Sequence, residues 1–411
     1  MQILNARSYF QVPEFDDLRT MIDRSVRLHG DRIAFRFRRA PRRDIETRTY
    51  ARFREETDAL GTALLALGLG GRRIAVIGEN SYGWCLAHTA ILNGVGVSVP
   101  LDRLLPEEEI LALLERGEVD AVFHPPSFEP VLRRAAARLP RLKWRICIDR
   151  SLWQKDSDRP AALSFPDALD LASDRACGEA PAGVGKGAAV LLEMEDLLDA
   201  GAARLAAGDR AYLDAPLDPD ALASLLFTSG TTSLSKAVML SHRNLASDIR
   251  GMAQIIDFAP GTRLLSVLPL HHTFENTVGL FMALHIGGEI CEADGLRYIQ
   301  QNMQEYRIQL LIGVPLLFEN FHRKLQEGIR KQGKERSVRI AIRLARLLRR
   351  LGIDVRPRLF APLLEAFGGA WNAGICGAAP IEPAVLQFFD DIGVRIYQGY
   401  GLTETSPVVA G

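Results

Sequence analysis

The chain is poor in cysteine, has no net charge and has no long apolar run, and each lack removes a class of function. Five cysteines, Cys85, Cys147, Cys177, Cys291 and Cys376, are scattered through 411 residues without a CxxC pair or a Cys/His ligand spacing. A structural zinc site and a disulfide framework are therefore excluded, and a reducing compartment is expected. Lys plus Arg and Asp plus Glu number 50 each, so no overall field recruits nucleic acid or an anionic surface. Nowhere do about 18 apolar residues follow one another, as a membrane span requires. The opening MQILNARSYFQVPEF shows no apolar run behind a basic start, and the expectation is a soluble, cytoplasmic protein. A Walker phosphate loop is missing as well. GVGKGA (183–188) has Ala180 and Gly187 where that motif needs Gly and Ser or Thr, and it reads as a plain turn. No internal repeat or low-complexity tract stands out.

What is present is an alternation of short apolar runs with segments of helical period, the pattern of parallel strands joined by crossover helices. RIAVIG (73–78), VSVPLD (97–102), VDAVFH (119–124) and WRICID (144–149) read as strands of one doubly wound unit, with helices between them. Residues 151–220 are rich in Ala, Asp and Gly and read as a connection containing one helix at MEDLLDAGAARLAAG. From 221 the strands resume with ALASLLF, RLLSVLPL, EICEA, IQLLIGV, NAGIC and VRIYQ. The length suggests two or three folding units, and the expected division is 1–220 and 221–411, each an α/β subdomain.

Polar loops fall after four of these strands: TSGTTSLSK (228–236), HHTFEN (271–276), GAAP (377–380) and GYGLTETSP (399–407). Ligands of open parallel sheets bind beyond the carboxyl ends of the strands, so the four loops are expected to share one edge and line one cleft. Ser229, Gly230, Thr231 and Thr232 combine hydroxyl and N–H donors with little bulk, and Lys236 adds a mobile charge, a set suited to phosphoryl oxygens. Taken alone, the stretch reads equally as a Ser/Thr-rich hairpin turn with a solvated lysine. In GYGLTETSP, Tyr400 offers a ring face for a base, Thr403 a hydroxyl and Glu404 a hard carboxylate for Mg²⁺, while Gly399 and Gly401 admit close backbone approach.

These motifs, in this order, resemble those of the AMP-forming acyl-CoA synthetases of the adenylate-forming superfamily. VMLSHRNLASDI and LPLHHTFEN are most similar to bacterial long-chain fatty acid-CoA ligases, and NSYGWCLAHTAILNGVGVSVPLD is similar to an early core segment of that family. The resemblance implies ATP-dependent activation of a long-chain fatty acid to acyl-AMP and then, with coenzyme A as co-substrate, to acyl-CoA. It implies that Thr228 to Lys236 hold the β- and γ-phosphates of ATP. Gly377, Ala378 and Ala379 would lie along adenine and the acyl chain, and Tyr400, within Gln398–Gly401, would stack on adenine. Thr403 would hold the α-phosphate, Glu404 would bind Mg²⁺ and His272 would sit beside the acyl carboxylate, with His271 left as a surface histidine. Alternatives left open are a ligase for a medium-chain or aryl acid and a non-catalytic nucleotide-binding protein.

Departures accompany the resemblance. Ser233 and Ala237 stand where the family usually has glycine, and Ser235 where many members have proline. The family's ribose-binding aspartate, a following arginine and a small carboxyl-terminal domain with its lysine are not within the 411 residues, so full turnover by these residues is not expected. RFRRAPRR (36–43) reads as a strand and a turn with solvated arginines. In 335–351, Arg336, Arg339, Arg343, Arg346 and Arg350 share a helix face opposite Val338, Ile342 and Leu348. That face admits two readings, a solvated surface over a core stripe, which is the commoner, and a peripheral contact with anionic membrane.

Overall fold

A computed structural model describes residues 10–153, 159–177, 189–228, 235–256 and 258–410. The strands, in chain order, are β1 (Ile33–Phe37), β2 (Glu46–Thr49), β3 (Arg73–Ile77), β4 (Val97–Leu101), β5 (Ala121–His124), β6 (Trp144–Cys147), β7 (Val190–Glu193) and β8 (Leu222–Thr228). They continue with β9 (Lys236–Ser241), β10 (Arg263–Ser266), β11 (Glu289–Glu292), β12 (Leu310–Gly313), β13 (Ala373–Cys376), β14 (Arg395–Gln398), β15 (Tyr400–Gly401) and β16 (Val408–Ala410). Two seven-stranded sheets result, ordered β7-β6-β5-β3-β4-β8-β9 and β14-β13-β12-β10-β11-β1-β2, beside the small β15-β16 ribbon. Within the two large sheets only β8–β9 and β1–β2 pair antiparallel.

The sheets do not divide at residue 220. Strands β8 and β9, expected in the second subdomain, edge the first sheet, and β1 and β2 edge the second. Each sheet thus takes its last hairpin from the other half of the chain. The arginines of 36–43 are not simply solvated: Arg36 pairs with Glu289, and Arg38, with its side chain 8% exposed, pairs with Asp294 and Glu305. Joining β1 to β11 brings those carboxylates within reach.

Because side chains alternate along a strand, each sheet feeds two cores. In β3, Ile74 and Val76 join one large cluster and Ala75 and Ile77 another, and in the second sheet Leu264 and Ile290 part likewise from Leu265 and Cys291. The large cluster draws on both sheets and on the helices Leu18–His29, Tyr50–Ala66, Tyr82–Ala90 and His242–Ala253. Helices Glu107–Arg116 and Glu129–Arg138 cover the outer side of the first sheet, and Ile299–Tyr306, Pro315–Lys331 and Pro383–Ile392 that of the second. Near-continuous burial on both faces explains why the strands read as apolar runs.

Candidate active site

The two sheets meet along their carboxyl ends. Asn80, just beyond β3, donates its amide N–H to Ser266 Oγ at 3.0 Å and to the Leu268 carbonyl at 2.7 Å, and its Oδ1 accepts from Leu270 N–H at 3.1 Å. One side chain from the first sheet therefore fixes the segment that leads into HHTFEN. A second tie joins buried His88, through Nε2, to Asn276, while its Nδ1 lies 2.7 Å from Ser98 Oγ. Burial lowers the pKa of His88 to about 3, against the Asn276 contact, so it is neutral at physiological pH. The NSYGW segment thus forms half of the seam between the sheets.

Glu275 is the residue of HHTFEN that motif reading passed over. It is fully buried, with Oε1 accepting from Ser266 Oγ at 2.6 Å and Oε2 without a partner. Burial pushes its pKa up to about 8, against the Ser266 hydroxyl and the Val267 N–H. Glu292, at the end of β11, is raised to about 8 by burial in the same way, with the Tyr82 N–H pulling down. Burial also raises the thiol of Cys85 well above its usual range. The wall behind the cleft is therefore neutral at physiological pH, built from acids that hold their protons. Nothing in the sequence signals this except burial of the segment, which only the fold supplies.

Thr228 ends β8 and pairs across the hairpin with Lys236, the exposed first residue of β9. Ser229, Gly230, Thr231, Thr232 and Ser233 lie outside the described residues. Arg116 holds the foot of the hairpin by donating to the Ser235 carbonyl at 2.8 Å, with its guanidinium over the Phe227 ring. The Thr403–Thr405 turn packs against β9, which brings Glu404 to the strand that Lys236 begins. Gly377 touches the Phe274 ring so closely that a Cβ would lie 2.8 Å from it, joining GAAP to HHTFEN. Gly399 N–H donates to the Cys376 carbonyl at 2.8 Å and follows Gln398, the last residue of β14. Tyr400, 65% exposed, and Gly401 pair with β16, and Ala378 and Ala379 are exposed.

Two expectations need correction. The four loops do not share one edge: three follow strands of the second sheet and the TSGTT hairpin belongs to the first, so any cleft lies between two facing edges. The surface reading of His271 is the second. His271, expected at the surface, has its side chain 10% exposed and its Nε2 3.7 Å from Asp102 Oδ2, whereas His272 is the exposed member. Burial, and then the neighbouring His272, lower His271 to about 4, with Asp102 opposing. His272 is lowered too, by desolvation.

A cavity of about 450 Å³ lies between helix His242–Ala253 and the 404–410 segment, lined by Asn244, Asp248, Gly251, Glu404, Thr405 and Val408 among others. Asp248 accepts from Val408 N–H at 3.1 Å, leaves its other oxygen unpartnered, and is raised by burial to about 7.

A profile of AMP-binding enzymes matches residues 22–411. The chain belongs to that family. The chain is 26% identical to a long-chain-fatty-acid–CoA ligase 6 of Homo sapiens over 95% of its own length and 54% of that protein. It is 26% identical to a long-chain-fatty-acid–CoA ligase of Mycobacterium bovis over 88% of its length and 56% of that protein. A chloroplastic long-chain-fatty-acid–[acyl-carrier-protein] ligase of Arabidopsis thaliana is 25% identical over 94% and 55%. The chain thus spans about half the length of these curated relatives. Among solved structures, the A-PCP didomain of carboxylic acid reductase from Segniliparus rugosus, in complex with AMP, superposes with a TM-score of 0.71 at 22% identity, over 96% of this chain and 54% of that one. The N-terminal domain of a Mycobacterium tuberculosis protein, FACL13, matches at 0.61 and 18%, over 95% and 77%. These likenesses confirm the α/β fold expected from the strand pattern.

Among the described residues no group of three or more His, Cys, Asp or Glu could by itself cage a metal ion. An exposed Glu404 fits the way Mg²⁺ is held in nucleotide enzymes, by one or two carboxylates with phosphate oxygens and water completing the shell.

Proposed function

We propose that the chain binds ATP and a long-chain fatty acid and joins them as acyl-AMP, the acyl group then passing to the thiol of coenzyme A. The observation that supports this reading is the packing of the Thr403–Thr405 turn on β9 and of Gly377 on Phe274 in a chain that the AMP-binding family matches. In the first step a carboxylate oxygen attacks the α-phosphorus, the bond to pyrophosphate breaks, and no enzyme nucleophile is needed. The protein must align the two groups and offset charge growing on phosphoryl oxygens. Thr228 to Thr232 with Lys236 would hold the outer phosphates, and Thr403 the α-phosphate. Tyr400, exposed and fixed by its ribbon, would stack on adenine, with Gly377, Ala378 and Ala379 beneath it and Gln398, Gly399 and Gly401 shaping the approach. Glu404 would hold Mg²⁺, which when bound draws charge from the phosphates. His272 would flank the acyl carboxylate at the solvent side of the neutral Glu275 wall. In the second step the thiol sulfur bonds to the acyl carbon and AMP leaves.

Support for a long-chain acid comes from relatives near 25% identity. Buried free thiols at Cys85, Cys147, Cys291 and Cys376 suit a reducing cytoplasm. Exchange of labelled pyrophosphate into ATP tests the reading. Palmitate is expected to drive it and benzoate is not; exchange driven by benzoate or octanoate alone would replace the substrate, and nucleotide binding without exchange for any acid would remove adenylation.

A further inference from the structure

The helix Glu335–Arg350 carries three stripes, where an ordinary surface helix carries two. Toward the protein it turns Val338, Ala341, Ile342 and Ala345, of which only Ala345 is buried. Away from the protein it shows a second apolar strip spaced four, three and four apart: Ile340, Leu344, Leu347 and Leu351, exposed by 57%, 49%, 56% and 69%. Between the two lie the arginines. Arg346 makes a two-point ion pair with Asp391 at 2.7 and 2.6 Å, and Arg349 pairs with Asp390, so these two fasten the helix to Pro383–Ile392. Among the described residues Arg336, Arg339, Arg343 and Arg350 are in no ion pair. From 330 to 350 there are nine Lys or Arg and a single acid, Glu335, in a chain of zero net charge.

Core packing accounts for the first stripe and ion pairing for part of the second; neither accounts for four large apolar side chains standing in water beside four unpaired guanidinium groups. We infer that this face docks on an anionic lipid bilayer, with Ile340, Leu344, Leu347 and Leu351 entering the acyl boundary and Arg336, Arg339, Arg343 and Arg350 meeting lipid phosphates. Charge complementarity selects that occupant. A second copy related by a two-fold axis would set arginine against arginine, whereas a bilayer surface supplies phosphate and hydrocarbon at the same depth. Arginine stems reach outward while their roots lie along apolar surface, which suits this depth. The helix is seated on Pro383–Ile392, which begins just after GAAP, so docking would hold the cleft near the place where fatty acid partitions. That last link rests on the function proposed above; the docking itself does not.

Sedimentation of the whole 411-residue chain with vesicles tests it without nucleotide or acid, so failure here and failure of the acyl-activating reading are separable. Vesicles of phosphatidylcholine containing one-third phosphatidylglycerol should bind the chain at least about tenfold more tightly than phosphatidylcholine alone, and salt should weaken the binding. The pairs Leu344→Ser with Leu347→Ser, and Arg339→Gln with Arg343→Gln, should each weaken it about tenfold or more with thermal unfolding unchanged. No binding to anionic vesicles, equal binding to both kinds, or wild-type affinity in both double variants overturns the inference. A wild-type dimer in sedimentation velocity that Leu344→Ser with Leu347→Ser dissolves would also overturn it, by assigning the strip to self-association.

Discussion

The HHTFEN loop (271–276), backed by Glu292 at the end of β11, and the turn from Tyr400 to Glu404 are both polar segments at strand ends, and the fold uses them in opposite ways. In the first, Glu275, Asn276 and Glu292 are sealed between the sheets, and Glu275 and Asn276 make hydrogen bonds within the protein. In the second, Tyr400 and Glu404 are exposed and Glu404 has no protein hydrogen bond or ion pair among the described residues. A buried polar group must find a partner or lose its charge, whereas an exposed one can wait for a ligand. The first segment is a wall whose polar residues hold two sheets together; the second is an open hand. Changes in the wall should therefore register in stability and changes in the turn in binding.

The largest effect expected is a dependence of stability on pH through Glu275. Its folded pKa of about 8 exceeds that of an unfolded carboxyl, so its contribution is fully present below about 4.5 and is lost as pH rises through about 8. In that window the slope is about 1.4 kcal/mol per pH unit, roughly 3 kcal/mol across two units. Glu275→Gln should remove this share of the slope in urea unfolding between about pH 5.5 and 7.5, leaving the similar share of Glu292. An unchanged slope would mean that Glu275 is charged in the fold and that the neutral wall is misassigned.

Next comes the tie from Asn80. Asn80→Ala removes three hydrogen bonds and leaves the Leu268 carbonyl and the Leu270 N–H short of a partner. A loss of about 2 kcal/mol is expected, the usual cost of stranding part-buried backbone groups. Denaturant melts that match wild type would show that the sheets meet without it. Of similar size but in the other observable, Tyr400→Ala should weaken ATP binding by about 1–3 kcal/mol if the ring is the adenine platform, with unfolding unchanged because the side chain is exposed. Calorimetric titration reads the first and thermal melting the second; stability lost without affinity would place Tyr400 with the wall.

How far the sequence carried is visible in the same two segments. Every run that reads as a strand between 73 and 149, and each of the six named from 221 onward, forms one; except in edge strand β14, which has no buried residue, burial on both faces leaves a near-continuous apolar signature. Which sheet an edge hairpin joins has no such signature. β1–β2 and β8–β9 cross over through contacts between residues far apart in sequence, so the boundary at 220 and the shared edge were both misread. Motif letters alone gave Glu275 no part in the site, because its neutrality comes from burial that only the fold supplies. His271 and His272 are adjacent and identical in kind, and burial separates them: the side chain of His271 is 10% exposed, 3.7 Å from Asp102 beyond β4, whereas His272 is exposed. The second apolar strip of 335–351 escaped for a related reason: Leu344 and Leu347 look like core positions until the core is seen to lie on the other side.

The smallest effect, and the sharpest probe of where wall ends and open turn begins, belongs to Ala378. It lies between buried Gly377, which is pressed on Phe274, and exposed Ala379, and its backbone has φ of 72°. A residue with a Cβ in that left-handed region costs roughly 1–2 kcal/mol relative to glycine. Glycine would relieve the strain but adds freedom to the unfolded chain worth roughly 0.4–1 kcal/mol in the opposite direction. The net expectation for Ala378→Gly is a gain of about 0.5–1 kcal/mol in stability, the difference of those two terms. Its effect on ligand is expected to have the other sign. If the methyl group and the fixed backbone form part of the platform for a flat ring, loosening them should weaken ATP binding by a few-fold, since preorganisation is what the strain maintains. Denaturant unfolding and titration on the same preparation decide the matter. A variant that is both more stable and tighter-binding would show that the strain serves no ligand. One that is less stable would show that Ala378 belongs to the wall.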